Sequence, residues 1–116
     1  MSIMHTMPSP PPEPFRPLDH ATFSPDRMGK ATLYQSERML VGLNTFLPGQ
    51  EHRLHAHAGM DKVYHVLAGS GTFVLEGGSR PMAAGDMLIA PADVPHGILN
   101  DSGENLVVLA ILAPAP

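Results

Sequence analysis

The chain has no cysteine, which excludes disulfides and any thiolate metal site. Basic residues are scarce. Seven Lys and Arg against eleven Asp and Glu give a formal charge of -4, a balance that argues against nucleic acid or an anionic membrane surface as partner. No segment approaches the ~20 apolar residues of a membrane span, and residues 1–14 lack the continuous apolar core of a signal peptide. A soluble, cytoplasmic protein is expected. No stretch carries a long 3.6-residue apolar period with caps, so little helix is expected.

What the chain does contain is proline at one end and short apolar runs over the rest. At 116 residues it is one domain, able to bury roughly two-thirds of its unfolded surface. Residues 1–17 hold Pro8, Pro10, Pro11, Pro12, Pro14 and Pro17, which block helix and sheet ladder alike and predict a flexible arm, extended or disordered. Phe15 and Leu18 are candidates to anchor its end. Residues 18–116 form the folded domain. Candidate strands are Ala31 to Gln35, Met39 to Leu47, Leu54 to Ala58, Val63 to Leu67, Gly71 to Leu75, Met87 to Ala90, Gly97 to Leu99 and Leu106 to Leu112. Turn chemistry separates them: Pro48-Gly49, Gly69-Ser70-Gly71, Gly77-Gly78, Gly85-Asp86 and Asp101-Ser102-Gly103. Many short strands at regular spacing predict an all-β sandwich or barrel. The Leu106 to Leu112 run is apolar on both faces and must be covered on both, by a second sheet or another subunit. A homodimer that covers the Met39 to Leu47 and Leu106 to Leu112 surfaces is therefore expected.

Two histidine stretches carry the chemistry. In the first, His55 and His57 stand two residues apart, and side chains at that spacing leave the same face of a strand. The second ends in Pro95-His96, where Pro95 restricts Val94 to an extended conformation and helps aim the ring. Three neutral imidazoles meeting inside a small barrel would make an open transition-metal site. The alternative for these rings is a set of polar side chains bonded to one another or to water. With seven His in the chain, an accidental His-x-His is expected about 0.4 times, so that pair alone decides nothing. His52 has the opposite parity and is expected at the surface. His65 is expected to be structural, and His5 and His20 solvated.

Both stretches resemble the two motifs of the cupins, small jelly-roll β-barrels that commonly hold one metal ion. Gly49, His55, His57 and Gly69 match the first motif; Gly85, Pro91, His96 and Asn100 match the second, with Asp93 in place of the inner Gly. The resemblance covers about Phe46 to Asn100 and implies a jelly-roll (double-stranded β-helix) fold. It also implies metal ligation by His55, His57 and His96, by a divalent transition metal: iron or manganese first, with nickel, copper or zinc compatible. The family's usual fourth ligand, a Glu, is missing. Counting back from Gly69 puts Lys62 at its place; counting on from His57 puts Asp61 there. Neighbouring strand residues face opposite ways, so both cannot point inward. Asp61 is the candidate fourth ligand; a site of three His alone is also compatible with the family.

Lys62 and Tyr64 share a strand face and are candidate catalytic groups. The structural alternatives are a salt bridge from Lys62 to Asp61 or Glu51, and simple packing for Tyr64. Phe46, Leu54, Phe73, Val74 and Ile98 are candidate barrel liners, and Met60, Met82 and Met87 core fillers rather than ligands. Asn100 and Asp86 read as turn residues. The resemblance implies a metal-dependent enzyme acting on a small organic molecule, of dioxygenase, isomerase or lyase type. The alternatives are a non-catalytic barrel that binds a small ligand, and a metal-free structural barrel with Lys62 in the ligand place.

Overall fold

The computed structural model describes residues 12–116, so His5 and most of the proline-rich segment lie outside it. Nine strands follow a 3-10 turn at Pro17–His20: β1 Gly29–Gln35, β2 Leu40–Phe46, β3 Glu51–His55, β4 Asp61–Ala68, β5 Ser70–Leu75, β6 Arg80–Ala83, β7 Met87–Ala90, β8 His96–Leu99 and β9 Leu106–Ala113. They form two antiparallel sheets, ordered β1-β2-β9-β4-β7 and β3-β8-β5-β6. This is an all-β jelly roll. Among the described residues no helix is long and apolar enough to cross a membrane.

The core forms where the two sheets face each other. Register sets Leu40, Gly42, Asn44 and Phe46 of β2 opposite Leu112, Ala110, Val108 and Leu106 of β9, all on the inner face. From β4, Lys62, Tyr64 and Val66 join that face beside Leu112, Ala110 and Val108. The opposing sheet contributes Phe73, Met82 and Ile98. β9 is thus buried inward by the second sheet, while its outer face shows Val107, Leu109 and Ile111. The N-terminal segment lies against part of that outer face's sheet: the Thr45 hydroxyl donates to the Thr22 carbonyl, and Gln50 Nε2 donates to the Ser24 carbonyl at 2.8 Å. Phe15 and Leu18 stay half exposed beside Leu67.

One residue, Gly69, separates β4 from β5, although these strands belong to different sheets. It turns that corner at φ 83°, and a Cβ there would collide with the Asn105 carbonyl oxygen. Glycine satisfies both conditions. Asn100 fixes a second corner. Fully buried, its Nδ2 donates to the carbonyls of Phe46 (3.0 Å) and Glu104 (2.8 Å), and its Oδ1 accepts from Ser102 N and Oγ. Its role therefore exceeds a local turn, because it ties β2 to the loop after β8.

The structure corrects several sequence expectations. The strand placed at Leu54 to Ala58 runs instead over Glu51–His55, because the Pro48-Gly49 turn feeds straight into pairing with β8. Strand β6 carries no alternating signal and contains Pro81; it is an edge strand, where a missing N–H is tolerated. Leu54 points outward and is 45% exposed. Val74 has the parity opposite to buried Phe73, so neither Leu54 nor Val74 lines the barrel interior. Met82 is core and Met60 packs on it, but Met87 sits on the exposed outer face of β7.

Candidate metal centre

His55 ends β3 and His96 begins β8, and the two are direct cross-strand partners. His57 follows two residues beyond β3. The ring centroids are 4.4 Å apart for His55 and His96, 4.8 Å for His55 and His57, and 5.8 Å for His57 and His96. One nitrogen from each ring lies within 4.8 Å of the other two. The loop that carries His96 is held by backbone. Asp93 N–H donates to the His57 carbonyl at 2.9 Å, joining the two histidine segments directly. Asp93 itself takes a left-handed φ of 67°, the conformation that the glycine of the family motif adopts most cheaply and that Asp tolerates better than most residues.

Backbone carbonyls also choose the tautomers. His55 Nδ1 lies 2.6 Å from the Arg53 carbonyl and His96 Nδ1 lies 2.9 Å from the Val94 carbonyl. A carbonyl only accepts, so in the neutral ring each Nδ1 carries the proton and each Nε2 keeps its lone pair. The Nε2 atoms of His55, His57 and His96 are buried and have no hydrogen-bond partner among the described residues. Buried polar atoms normally find a partner, so three unpartnered ring nitrogens in one place, two of them acceptors, require explanation. They fit a borderline transition ion, which takes neutral imidazole nitrogen.

His52 joins this cluster, against expectation. Between His52 and His55 the register with β8 slips, Arg53 and Leu54 together opposing the single residue Gly97. That β-bulge reverses the parity of the strand. The His52 ring therefore stacks on His55 at 4.0 Å, with its Nδ1 buried and without a partner among the described residues. No sequence signal announces a bulge of this kind.

Lys62 and Tyr64 face the cluster from β4. Lys62 is 4% exposed, with its Nζ 4.8 Å from the centre of the Tyr64 ring. Neither expected ion pair forms. Glu51 lies 3.6 Å from Arg53, and the Asp61 carboxylate accepts the Ala92 N–H at 2.9 Å, on the outer side of β4. Asp61 thus braces the loop leading to His96, and lies outside the group of three histidines. Tyr64 packs its ring on His96 and Phe73, while its hydroxyl is buried without a partner among the described residues. His65 lies on the opposite face of β4, and His20 is exposed against Phe15.

Burial, more than charge, sets the electrostatics. It lowers the pKa of His55, His57 and His96 below 6.5, with the nearby Lys62 adding to the effect; carbonyl hydrogen bonds partly offset it at His55 and His96. His52 falls furthest, to about 3, through burial and then through His55, Lys62 and Lys30. Burial, reinforced by Lys30, lowers Lys62 to about 8, and burial raises the Tyr64 hydroxyl. At neutral pH the four imidazoles are uncharged, as ligation requires.

Comparison with known proteins agrees with this architecture. The cupin domain model matches residues 42–112. The chain belongs to the cupin family. A crystal structure of the protein TT1209 from Thermus thermophilus is 38% identical, with a TM-score of 0.82 over 85% of this chain and 94% of that one. An oxalate-binding protein of Thermotoga maritima is 28% identical over 85 residues, 73% of this chain and 69% of that protein. A structure from Thermotoga maritima described as a predicted oxalate decarboxylase is 27% identical, with a TM-score of 0.71, covering 75% of this chain and 80% of that one.

The depressed imidazole pKa values carry a pH prediction. Below pH 6.5 the unfolded chain binds protons that the folded cluster refuses, so the stability of metal-free protein falls as pH drops. His52 alone contributes on the order of 1 kcal/mol of this loss by pH 5, allowing for its partial exposure. Urea midpoints should fall between pH 7 and pH 5, with a shallower slope in His52→Asn. Identical slopes in both proteins would show that the cluster does not titrate this way.

Proposed function

We propose that this cupin is a mononuclear metal protein in which His55, His57 and His96 hold one divalent transition ion, iron or manganese before nickel, copper or zinc. The reading has it bind a small organic molecule through oxygen atoms, with dioxygenase, isomerase or lyase chemistry as its enzymatic form. The observation that carries it is the set of three buried, unpartnered Nε2 atoms, two of them left unprotonated by carbonyls at Nδ1. A bound ion would supply Lewis acidity and open positions for oxygen donors. The chain's own residues do the rest. Phe46, Phe73, Ile98 and the Tyr64 ring keep the interior apolar, and the Arg53 and Val94 carbonyls hold the rings in place. The oxalate-binding relative supports a small oxygen-rich ligand.

Lys62 favours a second reading. A buried cation stands where the family's carboxylate ligand is expected, and cations repel. A barrel that binds its ligand without turnover is that reading. Elemental mass spectrometry on tag-free protein separates them. Near-stoichiometric metal, lost in His55→Ala/His96→Ala, is expected. Protein that is metal-free and also rejects added iron, manganese, nickel, copper and zinc would leave only the binding or structural barrel.

We also propose that the chain forms a homodimer through the outer face of its five-stranded sheet. Met87 and Ile89 are 60% and 64% exposed there, alongside half-buried Val41, Val63, Leu109 and Ile111. Apolar patches of this kind are normally covered. Light scattering at micromolar concentration should give a dimer mass that Ile89→Lys reduces to a monomer; a monomeric parent protein would remove the proposal.

A further inference from the structure

Beside the histidines, between the two sheets, lies a cavity of about 220 Å³. Its polar lining is Lys30, Thr32, Asn44, His52, His57 and Lys62, with Leu40, Leu43, Leu112 and Pro116 among the rest. No Asp or Glu contributes to it, although the chain as a whole carries a charge of -4. Two cations therefore share one small cavity that has no acidic side chain in its lining. Lys62 stands deep in it and Lys30 at its exposed rim. Among the described residues neither lysine, nor the Asn44 carboxamide, makes a side-chain hydrogen bond or ion pair with the protein. The two candidate partners of Lys62 are engaged elsewhere, Glu51 beside Arg53 and Asp61 with the Ala92 N–H. Only the face of the Tyr64 ring offers Lys62 compensation.

An unpaired buried ammonium is costly to keep, and the cost has no structural return here: Lys62 bridges no elements and caps no strand. A negative ligand would supply the missing partner. At ~30 Å³ per water, the cavity of about 220 Å³ admits a molecule about the size of seven waters, so the ligand is small. We propose that Lys62, aided by Lys30 and Asn44, seats the carboxylate of a small organic acid, and that the remaining oxygens of this acid face the histidine cluster. The second half rests on the reading of His55, His57 and His96 given above; the first half does not.

Calorimetric titration of metal-free protein with malonate, and with its uncharged counterpart malonamide, tests the seat. Malonate should bind at least tenfold more tightly than malonamide. Lys62→Met should lose at least tenfold in malonate affinity while its melting temperature in the absence of ligand rises, because an unpaired buried charge has gone. Lys30→Gln, at the exposed rim, should lose about threefold, and it serves as the second variant should Lys62→Met fold poorly. The His55→Ala/His96→Ala protein should keep Lys62-dependent malonate binding, which separates this seat from the metal reading. Equal affinity for malonate and malonamide, or unchanged malonate binding in a folded Lys62→Met, would overturn the proposal. Tighter binding of inorganic phosphate than of malonate would overturn its assignment to a carboxylate.

Discussion

Four imidazoles packed together in a partly dry space impose one condition on this molecule: they must stay uncharged. Four cations at ring separations of 4.0 to 5.8 Å, facing Lys62, would repel one another strongly. The protein meets the condition by burial, which outweighs the opposite pull of two backbone carbonyls on Nδ1 of His55 and His96; those carbonyls decide instead which nitrogen of the neutral ring carries the proton. Those carbonyls come from residues two positions upstream, Arg53 and Val94, so the local chain path of each histidine segment sets its own tautomer. The consequence is a set of outward lone pairs with no protein donor to accept.

That arrangement depends on loops more than on strands. His57 lies beyond the end of β3, and His96 stands at the first residue of β8. The Asp93 N–H to the His57 carbonyl and the Ala92 N–H to the Asp61 carboxylate hold these two ends in register. Asp61 acts here as a brace of the His96 loop. Lys62, its neighbour, points the other way and brings charge into the interior, so the place of the usual carboxylate holds its electrostatic opposite. Loss of an acidic ligand and gain of a basic seat are the same substitution seen from two sides.

The inner face of the barrel was legible in the sequence wherever strands are regular. Parity alone put Lys62, Tyr64 and Val66 together, and the same logic brought out the two-faced apolar character of β9. Parity failed at His52, because a bulge adds one residue to β3 and turns the ring inward. At Leu54 parity held: as the neighbour of inward His55 it points outward, and its expected place as a barrel liner had gone against that parity. Strand β6 was missed because Arg80, Pro81, Met82 and Ala83 bury only Met82, too short a run to show alternation. Lys30 and Asn44 were missed because a polar residue on an edge strand, or alone in an apolar strand, reads as solvated or as a turn former until its neighbours across the barrel are known. The three histidines were found by spacing and family resemblance together; the carbonyls that orient them belong to backbone, which leaves no mark in residue identity.

Everything at the site rests on His55 and His96 being held neutral with the proton on Nδ1. Long-range 1H–15N correlation spectra of the imidazole rings in metal-free protein at neutral pH read this directly. A protonated Nδ1 and a bare Nε2 are expected for both residues, with no imidazolium. Protons on Nε2, or charged rings at neutral pH, would contradict it and remove the donor set on which the metal reading stands.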